Sequence, residues 1–231
     1  MKVSGIICEY NPFHNGHLHH IRETRKNGAT HIVAVMSGNF VQRGDTAIID
    51  KLERARLAVR SGADLVIELP VQYCLSPAET YATGAVWLLH SFGIVDELSF
   101  GSECGDVEKL QKALNAVEIT AMVRAEEIRG IMEKGYTYPR ALNSVIKGVD
   151  PEAAAIISEP NNLLAIEYMR ALKKFSSKMI PFTIKRANVS HDSTLPLNEF
   201  ASASYIRELL SSRQGILNIN KYTTSIWTEM L

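Results

Sequence analysis

The feature that most constrains the fold is a set of short apolar runs separated by longer amphipathic stretches. The runs cover residues 3–8, 31–36, 64–69, 97–100 and 181–185. Apolar runs of this length are typical of strands that are buried on both faces of a sheet. Their alternation with helical patterns predicts an α/β fold, with a Rossmann-like parallel sheet of about five strands.

Two of the helices between these strands have recognisable end signals. Residues 50–60 are amphipathic, and Gly62 follows them as a stop signal. Residues 76–79 (Ser-Pro-Ala-Glu) have the pattern of a capping box with proline at the first helical position. The helix that they begin should run to about Phe92, with Gly93 at its C-terminal end.

Residues 106–178 break the alternation, because they have helical periodicity and almost no strand signal. The clearest helices within this stretch are residues 139–147 and 161–174. We therefore predict a helical insertion before the last strand, and one more helix near residues 202–210. The predicted domain covers residues 1–212, and residues 213–231 are expected to begin a C-terminal portion.

Charge and cysteine usage exclude several classes of protein. Lys+Arg and Asp+Glu number 25 each, so the overall charge does not favour non-specific binding to nucleic acid. The three cysteines are odd in number and have no CxxC spacing, which predicts neither a disulfide framework nor a zinc site. Without a run of eighteen apolar residues or a signal-peptide pattern, the chain is expected in a reducing cytoplasm.

Two histidines lie where an open α/β sheet binds its ligands. The first strand ends near Cys8 and a helix should begin near Gly16, so His14 and His17 fall just outside the carboxyl end of a strand. Because they are three residues apart, they share a face of the first helical turn. Their imidazoles can donate N–H bonds to phosphate oxygens at the positive end of the helix. An isolated pair of this kind is often polar surface, but its surroundings in residues 11–17 (NPFHNGH) favour a phosphate site.

Residues 14–17 match the HxGH signature of the nucleotidylyl-transferase superfamily, which class I aminoacyl-tRNA synthetases share. Four longer strings are more specific: GIICEYNPFHNGH at 5–17, MSGNFVQRG at 36–44, GADLVIELP at 62–70 and SFGSE at 99–103. Through them, residues 3–210 resemble the bacterial tRNA-Met cytidine acetate ligases. The resemblance implies a nucleotidylyl-transferase-like ATP-binding domain. It also implies an enzyme that activates acetate with ATP and passes the acetyl group to the wobble cytidine of elongator tRNA-Met.

The same resemblance implies site residues, with His14 and His17 as the catalytic pair on the phosphates. The ATP-binding residues that it implies are Ile7, Cys8, Glu9, Tyr10, Asn11, Pro12, Phe13, His14, Asn15, Gly16, His17, His20, Gly101, Asn161, Asn162, Lys185, Arg186, Ser202, Ser204 and Arg207. Gln42 and Arg43, in the loop 38–44, are expected to hold acetate or tRNA. Partners are therefore ATP, acetate and elongator tRNA-Met, with no DNA and no membrane.

Several of these residues also have a purely structural interpretation. Gly16 and Gly101 would let a nucleotide approach the backbone closely, although Gly101 also suits a simple strand-end turn. Asn161, Asn162 and the serines near residue 202 could instead cap helices. Lys185 and Arg186 could be a solvated basic pair, and the loop 38–44 a mobile surface loop. Mg²⁺ is expected to accompany ATP, held through water by Glu9 or Asp50, and no direct metal-ligand set is predicted.

Two other functions stay open on the residues alone. One is an adenylyltransferase that acts on a small phosphorylated metabolite, although a large helical insertion fits it poorly. The other is a non-catalytic nucleotide- or tRNA-binding module, although His14, Gly16 and His17 are all intact. Because family members continue past residue 231 with a portion thought to bind tRNA, we expect acetate activation from this chain and weak transfer to tRNA.

Overall fold

The strands form one parallel sheet at the centre of the molecule, in a computed structural model that describes residues 1–186, 201–210 and 219–223. The strand order is β3-β2-β1-β4-β5. The strands are β1 (Val3–Cys8), β2 (His31–Ser37), β3 (Leu65–Leu69), β4 (Glu97–Ser102) and β5 (Ile180–Lys185). All five predicted strands and the predicted fold class are confirmed, and the boundaries agree to within two residues.

Helices cover both faces of this sheet. They are α1 (Asn15–Lys26), α2 (Lys51–Arg60), α3 (Val71–Cys74), α4 (Ala78–Ser91), α5 (Val107–Val123), α6 (Ala125–Met132), α7 (Tyr138–Val149), α8 (Pro151–Ser158), α9 (Pro160–Lys174) and α10 (Ala203–Leu210). Helices α1, α2 and α10 bury one face, around Ile6, Ala34 and Ile206. Helices α4, α5 and α9 bury the other face, around Leu89 and Leu98.

The order of the strands creates a crevice beside β1. The chain lays down β1, β2 and β3 in one direction and then returns to place β4 on the other side of β1. Loops that leave β1 and β4 therefore diverge to opposite faces of the sheet. Open α/β sheets bind ligands at this switch point, outside the carboxyl ends of the strands.

The predicted helical insertion is confirmed and consists of five helices, α5 to α9, within the described residues. It includes α6 and α8, which the sequence pattern did not resolve. Asp106 begins α5 by accepting bonds from the Glu108 and Lys109 backbone N–H groups. Asp150 follows α7 and caps α8 by accepting from the Ala153 N–H at 2.9 Å. Short polar caps thus separate helices that hydrophobic periodicity alone merges.

The capping box that we predicted at residues 76–79 is wrong, although the helix is present. Helix α4 begins at Ala78 with Pro77 as its N-cap and no side-chain cap. The Ser76 hydroxyl instead donates to the Tyr73 carbonyl at 2.6 Å, because the short helix α3 ends immediately before it. At the other end, Gly93 closes the helix at φ +70 as expected.

The proposed C-terminal portion, residues 213–231, lies outside the described residues except for Ile219–Thr223. Ile219 and Tyr222 are buried in the core that α1, α2 and α10 share. The Asn15 backbone N–H donates to the Tyr222 carbonyl at 2.9 Å, and its side chain donates to the Lys221 carbonyl at 3.1 Å. This short segment therefore braces the start of α1. The boundary at residue 212 remains a prediction. Among the described helices, none has the length and apolarity that a membrane crossing requires.

Candidate active site

A cavity of about 710 Å³ opens at the carboxyl edge of the sheet, between the ends of β1 and β4. Its volume lies within the range of about 300–1,000 Å³ that small-molecule sites occupy. The α1 face contributes His14, Gly16, His17, His19 and His20, with Ala201, Ser202, Ala203 and Arg207 from the α10 region. The α4 and α9 face contributes Ala78, Tyr81, Pro160, Asn161, Leu163, Leu164 and Tyr168. Strand ends and loops supply Ile7, Cys8, Glu9, Tyr10, Asn11, Val41, Gln42, Arg43, Asp45, Thr46, Ile48, Phe100, Gly101, Ile184, Lys185 and Arg186.

The predicted histidine pair begins α1. His14 is the N-cap, with extended backbone at φ −145 and ψ 175, and its Nδ1 accepts from the Gly16 N–H at 3.1 Å. The Nδ1 of His17 accepts in return from the His14 N–H at 3.2 Å. This reciprocal arrangement is a capping box made of two imidazoles. The rings stack with their centroids 3.7 Å apart.

These two bonds fix the tautomers of the pair. A neutral imidazole that accepts at Nδ1 carries its proton at Nε2. Burial, followed by the nearby charges of His14, Arg186 and His20, holds the pKa of His17 well below its usual value. His17 is therefore neutral at physiological pH and presents an Nε2–H donor, as the assigned hydrogen bonds require. The cavity also receives the positive end of α1, whose first turn contains no acidic residue.

Gly16 lines the cavity and also has a structural role in the histidine cap. A Cβ at this position would lie 2.9 Å from the His14 Cε1 and 3.0 Å from its Nδ1. The His14 ring therefore covers the side of Gly16 on which a Cβ would lie, and the close approach of a nucleotide to Gly16 stays a prediction. The glycine therefore allows the two imidazoles to stack and the cap to form.

His20 lies one turn further along α1 and is tied to β4. Its Nε2 lies 2.9 Å from the Ser99 hydroxyl, which in turn lies 2.7 Å from the Thr24 hydroxyl. The Thr24 hydroxyl donates its hydrogen to the His20 carbonyl, so it can only accept from Ser99. The Ser99 hydroxyl therefore donates to Thr24 and accepts from the His20 Nε2–H. Burial, followed by Arg186 and His19, lowers the pKa of His20 to about 4.

The start of α10 faces the loop that precedes α1. The Ser202 hydroxyl accepts from the Tyr205 N–H at 3.0 Å and so caps the helix, as one of our two interpretations expected. Arg207 donates to the Asn11 carbonyl at 2.9 Å and to the Ser204 hydroxyl at 3.0 Å. Two helix N-termini, α1 and α10, therefore border the same cavity, an arrangement that favours an anion with more than one charged group.

Lys185 and Arg186 bring two further cations to the same edge, where β5 ends. Arg186 donates its backbone N–H to the Ser102 carbonyl at 2.9 Å, and its aliphatic stem packs on Gly101. A Cβ at Gly101 would approach the Arg186 Cγ to 3.3 Å. Burial lowers the pKa of Arg186, while the Glu103 carboxylate opposes that change. The predicted basic pair therefore lines the cavity, with Arg186 partly buried and Lys185 also exposed to solvent.

Asn161 and Asn162 have different positions. Asn161 lines the cavity, and its amide donates to the Glu103 carboxylate at 2.5 Å. The same carboxylate accepts from the Asn162 backbone N–H at 2.8 Å, so Glu103 caps α9 from another part of the chain. The Asn162 side chain is buried and accepts from the Cys104 N–H at 3.1 Å. Asn162 thus joins β4 to α9 and lies away from the cavity.

The loop after β2 is held firmly against the end of β1. The Glu9 carboxylate accepts from the Gln42 N–H at 2.7 Å. The fully buried guanidinium of Arg54 donates to the carbonyls of Glu9, Gly38 and Ile49. Because these bonds fix both ends of the loop, Gln42 and Arg43 line the cavity from an anchored turn rather than from a mobile surface loop.

The described residues contain no cluster of three or more side chains suited to holding a metal ion. Asp50 caps α2 through the Leu52 N–H at 2.8 Å and does not line the cavity. Glu9 does line it, and burial raises the pKa of its carboxyl, although the bond from Gln42 and the charge of Arg54 oppose this. One carboxylate is enough for Mg²⁺ only when the phosphates of the substrate supply further ligands.

Among the other predicted residues, four do not line the cavity. Phe13 is fully buried and packs edge-on against Tyr10, while Asn15 is bonded to the segment near Tyr222. Ser204 accepts from Arg207, and Pro12 follows a cis peptide bond in the turn before α1. These residues shape the loop that carries the histidine pair.

Sequence reasoning missed the α4 and α9 wall of the cavity. Tyr81, Phe100, Leu163, Leu164 and Tyr168 occupy positions whose periodicity is typical of a helix or strand core. Tyr81 and Tyr168 are the informative members, because a buried tyrosine usually needs a partner for its hydroxyl. The sequence therefore indicated this wall only through two tyrosines at buried helical positions. Their pattern did not show whether they face a cavity or the core.

The parallel sheet and the histidine pair at its carboxyl edge define a nucleotidyl transferase type of site, and comparison with known proteins agrees with that class. The sequence model described as "HIGH Nucleotidyl Transferase" matches residues 1–231. The chain therefore belongs to the HIGH nucleotidyl transferase family. The histidine pair at the start of α1 is the part of the structure that corresponds to the HxGH signature in its sequence.

Individual relatives show which members of this family the chain is similar to. The tRNA(Met) cytidine acetate ligase of Caldanaerobacter subterraneus subsp. tengcongensis is 43% identical over 234 residues, which cover 100% of this chain and 58% of that protein. The protein of the same name from Acetivibrio thermocellus is 44% identical, over 92% of this chain and 52% of that protein. The crystal structure of Thermotoga maritima TmcAL bound with alpha-thio ATP has a TM-score of 0.86 and 35% identity, covering 97% of this chain and 54% of that one. The chain thus spans somewhat more than half the length of these relatives.

Proposed function

We propose that this chain carries the ATP-dependent, acetate-activating part of a tRNA-Met cytidine acetate ligase. The observation that carries the proposal is the stacked pair His14 and His17, whose Nδ1 atoms are occupied by the backbone of α1. One cavity is bordered by their Nε2–H groups, by the N-terminus of α10 and by the cations Lys185 and Arg186. Preplaced donors of this kind stabilise the charge that develops on a phosphate during transfer.

In the first proposed step, an acetate oxygen attacks the α-phosphorus of ATP in line with the leaving pyrophosphate. The new P–O bond gives acetyl-adenylate, and the bond to the β-phosphate breaks with its electron pair on pyrophosphate. His14 and His17 donate hydrogen bonds and do not transfer protons, because His17 is neutral and already protonated at Nε2. Mg²⁺ would be held mainly by the phosphates, with Glu9 as the nearby carboxylate.

In the second proposed step, the exocyclic amine of the wobble cytidine attacks the acetyl carbon. A C–N bond forms, the bond from that carbon to AMP breaks, and AMP leaves with the electron pair while the amine loses one proton. The names of the relatives support this acceptor, and the ATP analogue in the Thermotoga maritima protein supports ATP as the nucleotide. Since the chain spans only part of those proteins, acetate, tRNA and the complete reaction remain proposals.

Pyrophosphate exchange with ATP tests the first step directly. The experiment compares acetate with a panel of other carboxylic acids and phosphorylated metabolites, with and without elongator tRNA-Met. Acetate-dependent exchange is the expected result. Exchange driven only by a phosphorylated metabolite would instead support an adenylyltransferase, and no exchange with ATP bound would indicate a non-catalytic module.

Acetyl transfer to elongator tRNA-Met, measured on the same preparation, separates the second step from the first. We expect this activity to be weak, because a chain with no net charge offers few phosphate contacts and the anticodon loop must be held open. Efficient transfer would mean that these 231 residues already contain the RNA site. The proposed reaction takes place in the cytoplasm, and the free thiols of Cys8, Cys74 and Cys104 suit that reducing compartment.

A further inference from the structure

The α4 and α9 side of the cavity carries two tyrosines that have no role in the proposed ATP site. Tyr81 on α4 is 2% exposed and Tyr168 on α9 is 4% exposed, and both line the cavity. Glu9, at the end of β1, lines it between them and the histidine pair. These three side chains form what we name the phenolic subsite.

The Tyr168 hydroxyl faces this subsite and is not shut off from solvent. Its ring packs in the core under α4 and α9, with the Phe100 ring at 5.9 Å between centroids, and within the described residues its hydroxyl makes no hydrogen bond. Burial raises the pKa of Tyr168 well above its usual value, and the nearby Glu9 carboxylate adds to this. A phenol that keeps its proton is a hydrogen-bond donor, so this hydroxyl can donate to a ligand in the cavity.

The carboxylate of Glu9 adds an acceptor to that donor. One of its oxygens accepts from the Gln42 N–H, and the bond fixes the direction of the carboxylate. An ionised carboxylate can only accept, so the group opposite it must carry a hydrogen. Leu163, Leu164 and Phe100 supply flat apolar walls beside these polar atoms. The subsite is therefore complementary to a flat ring that offers an N–H₂ group next to an acceptor.

Cytosine has this pattern of groups. Its exocyclic amine is a donor that carboxylates recognise, and its ring nitrogen and carbonyl oxygen are acceptors for a phenol. Uracil carries an oxygen where cytosine carries the amine, so Glu9 would face a second acceptor. Acetate fits less well, because its negative charge would lie against that of Glu9.

We propose that the phenolic subsite binds the cytosine ring of the acceptor nucleotide, with Glu9 accepting from the exocyclic amine and Tyr168 donating to the ring's acceptor edge. The inference rests on the proposed function, since it supplies the acceptor for the acetyl group. Glu9 leaves β1 five residues before His14, so the amine would be presented beside the phosphate site. The base and the ATP would then enter from opposite faces of the sheet, the first under α4 and α9 and the second beside α1 and α10.

The test measures binding of free nucleosides to the whole chain after saturation with a non-hydrolysable ATP analogue. Saturation-transfer NMR with cytidine, uridine and N4-acetylcytidine gives an affinity for each. For the unsubstituted chain we expect cytidine to bind at least about tenfold more tightly than uridine, the scale of one well-made base contact. Equal affinities, or no cytidine binding at millimolar concentrations, would overturn the proposal.

Two variants separate recognition from simple loss of structure. Glu9→Gln should reduce the preference to within about twofold, because an amide can donate to uridine or accept from cytidine. Tyr168→Phe should weaken cytidine by about fivefold, the effect of one lost hydrogen bond, and uridine by no more than that, because the uracil ring nitrogen is a donor and leaves only carbonyl acceptors. Tyr138→Phe, on a half-exposed tyrosine of α7 outside the cavity, is the matched control and should change neither value.

The pattern of results decides between this inference and the proposed function. A cytidine preference that survives Glu9→Gln would overturn the inference even if acetate-dependent exchange is intact. If the variants change cytidine binding as expected but the chain shows no acetate-dependent pyrophosphate exchange, the proposed activation of acetate is overturned. The inference that the phenolic subsite binds cytosine then stands. Thermal denaturation of each variant confirms that the chain measured is folded.

Discussion

The two sides of the cavity are built by different means. On the α1 side, the histidine pair is fixed by hydrogen bonds between residues three or fewer apart, those of His14 with Gly16 and His17. On the α4 and α9 side, Tyr81 and Tyr168 come from distant parts of the chain and are held by packing. The first side is therefore specified by a short stretch of sequence, and the second only by the complete fold.

This difference predicts two kinds of sensitivity. A change within the histidine cap should reduce the chemistry more than the stability, because the cap lies at the edge of the core and its rings pack mainly on Tyr10, Phe13 and each other. A change on the other side should loosen a wall and alter stability together with substrate affinity. The following predictions test that contrast in order of decreasing effect.

His17→Ala should produce the largest loss. It removes an Nε2–H donor whose tautomer the α1 backbone fixes, and loss of such a donor typically costs about 10²–10³-fold in turnover. ATP affinity should fall by less than turnover, because the donor matches the transition state better than the bound nucleotide. Pyrophosphate exchange measured over a range of ATP concentrations checks both values. His31→Ala, at the exposed start of β2, is the control, and an unchanged rate in His17→Ala would show that the ring is only structural.

Gly16→Ala should cost about tenfold in exchange activity without unfolding the protein. The new methyl group would lie 2.9 Å from the His14 ring, which must move and lose its stacking on His17. Alanine is otherwise the better helix former, by up to about 1 kcal/mol, so the melting temperature should change little.

Gly130→Ala in α6 is the matched control for that substitution. Nothing lies within 4 Å of the position where its Cβ would be, so stability should rise by about 0.5–1 kcal/mol and activity should not change. Equal activity in the two variants would contradict our account of Gly16.

Glu103→Ala tests the other side of the cavity through stability. Loss of the carboxylate that caps α9 should lower the free energy of unfolding by about 1–2 kcal/mol, the usual value for a helix cap. Chemical denaturation measures the change, and Glu103→Gln should restore part of it because one acceptor oxygen remains. Glu126→Ala, an exposed carboxylate on α6, should have little effect. A loss confined to exchange activity, with stability unchanged, would mean that α9 does not depend on this cap.

His20→Gln should have the smallest effect, on the pH dependence of stability. The folded pKa of about 4 lies below the unfolded value of 6.5, so at mildly acidic pH the unfolded chain binds a proton that the folded chain does not. Stability is therefore lost as the pH falls through 6.5, by about 0.5–1 kcal/mol between pH 7 and pH 6. Glutamine does not titrate and keeps a donor for Ser99, so the variant should lose less stability over that interval in thermal melts. An identical slope would assign the pH dependence to other groups, such as His17.

The sequence predicted the sheet, the insertion and the histidine pair because each leaves a local or periodic signal. Apolar runs locate β1 to β5, and the spacing of His14 and His17 places both rings on one helical turn. The wall formed by Tyr81 and Tyr168 could not be predicted, because tyrosine at a buried helical position has the same pattern whether it faces a core or a cavity. Asn162 could not be placed either, since its partner, the Cys104 N–H, is 58 residues away.

The bond between Asn15 and the carbonyl of Tyr222 has a consequence for the protein while it is being made. Ribosomes add about 5–20 residues per second, so roughly 10–40 seconds separate the two ends of this contact. During that interval β1 can pair with β2, but β4 arrives much later, and the cations at the end of β5 later still. A growing chain therefore contains the histidine motif from its first seconds and lacks the finished pocket until nearly all of the described residues have emerged. Chains released early would expose one edge of the central strand, and this makes them targets for chaperones and proteases rather than partial enzymes.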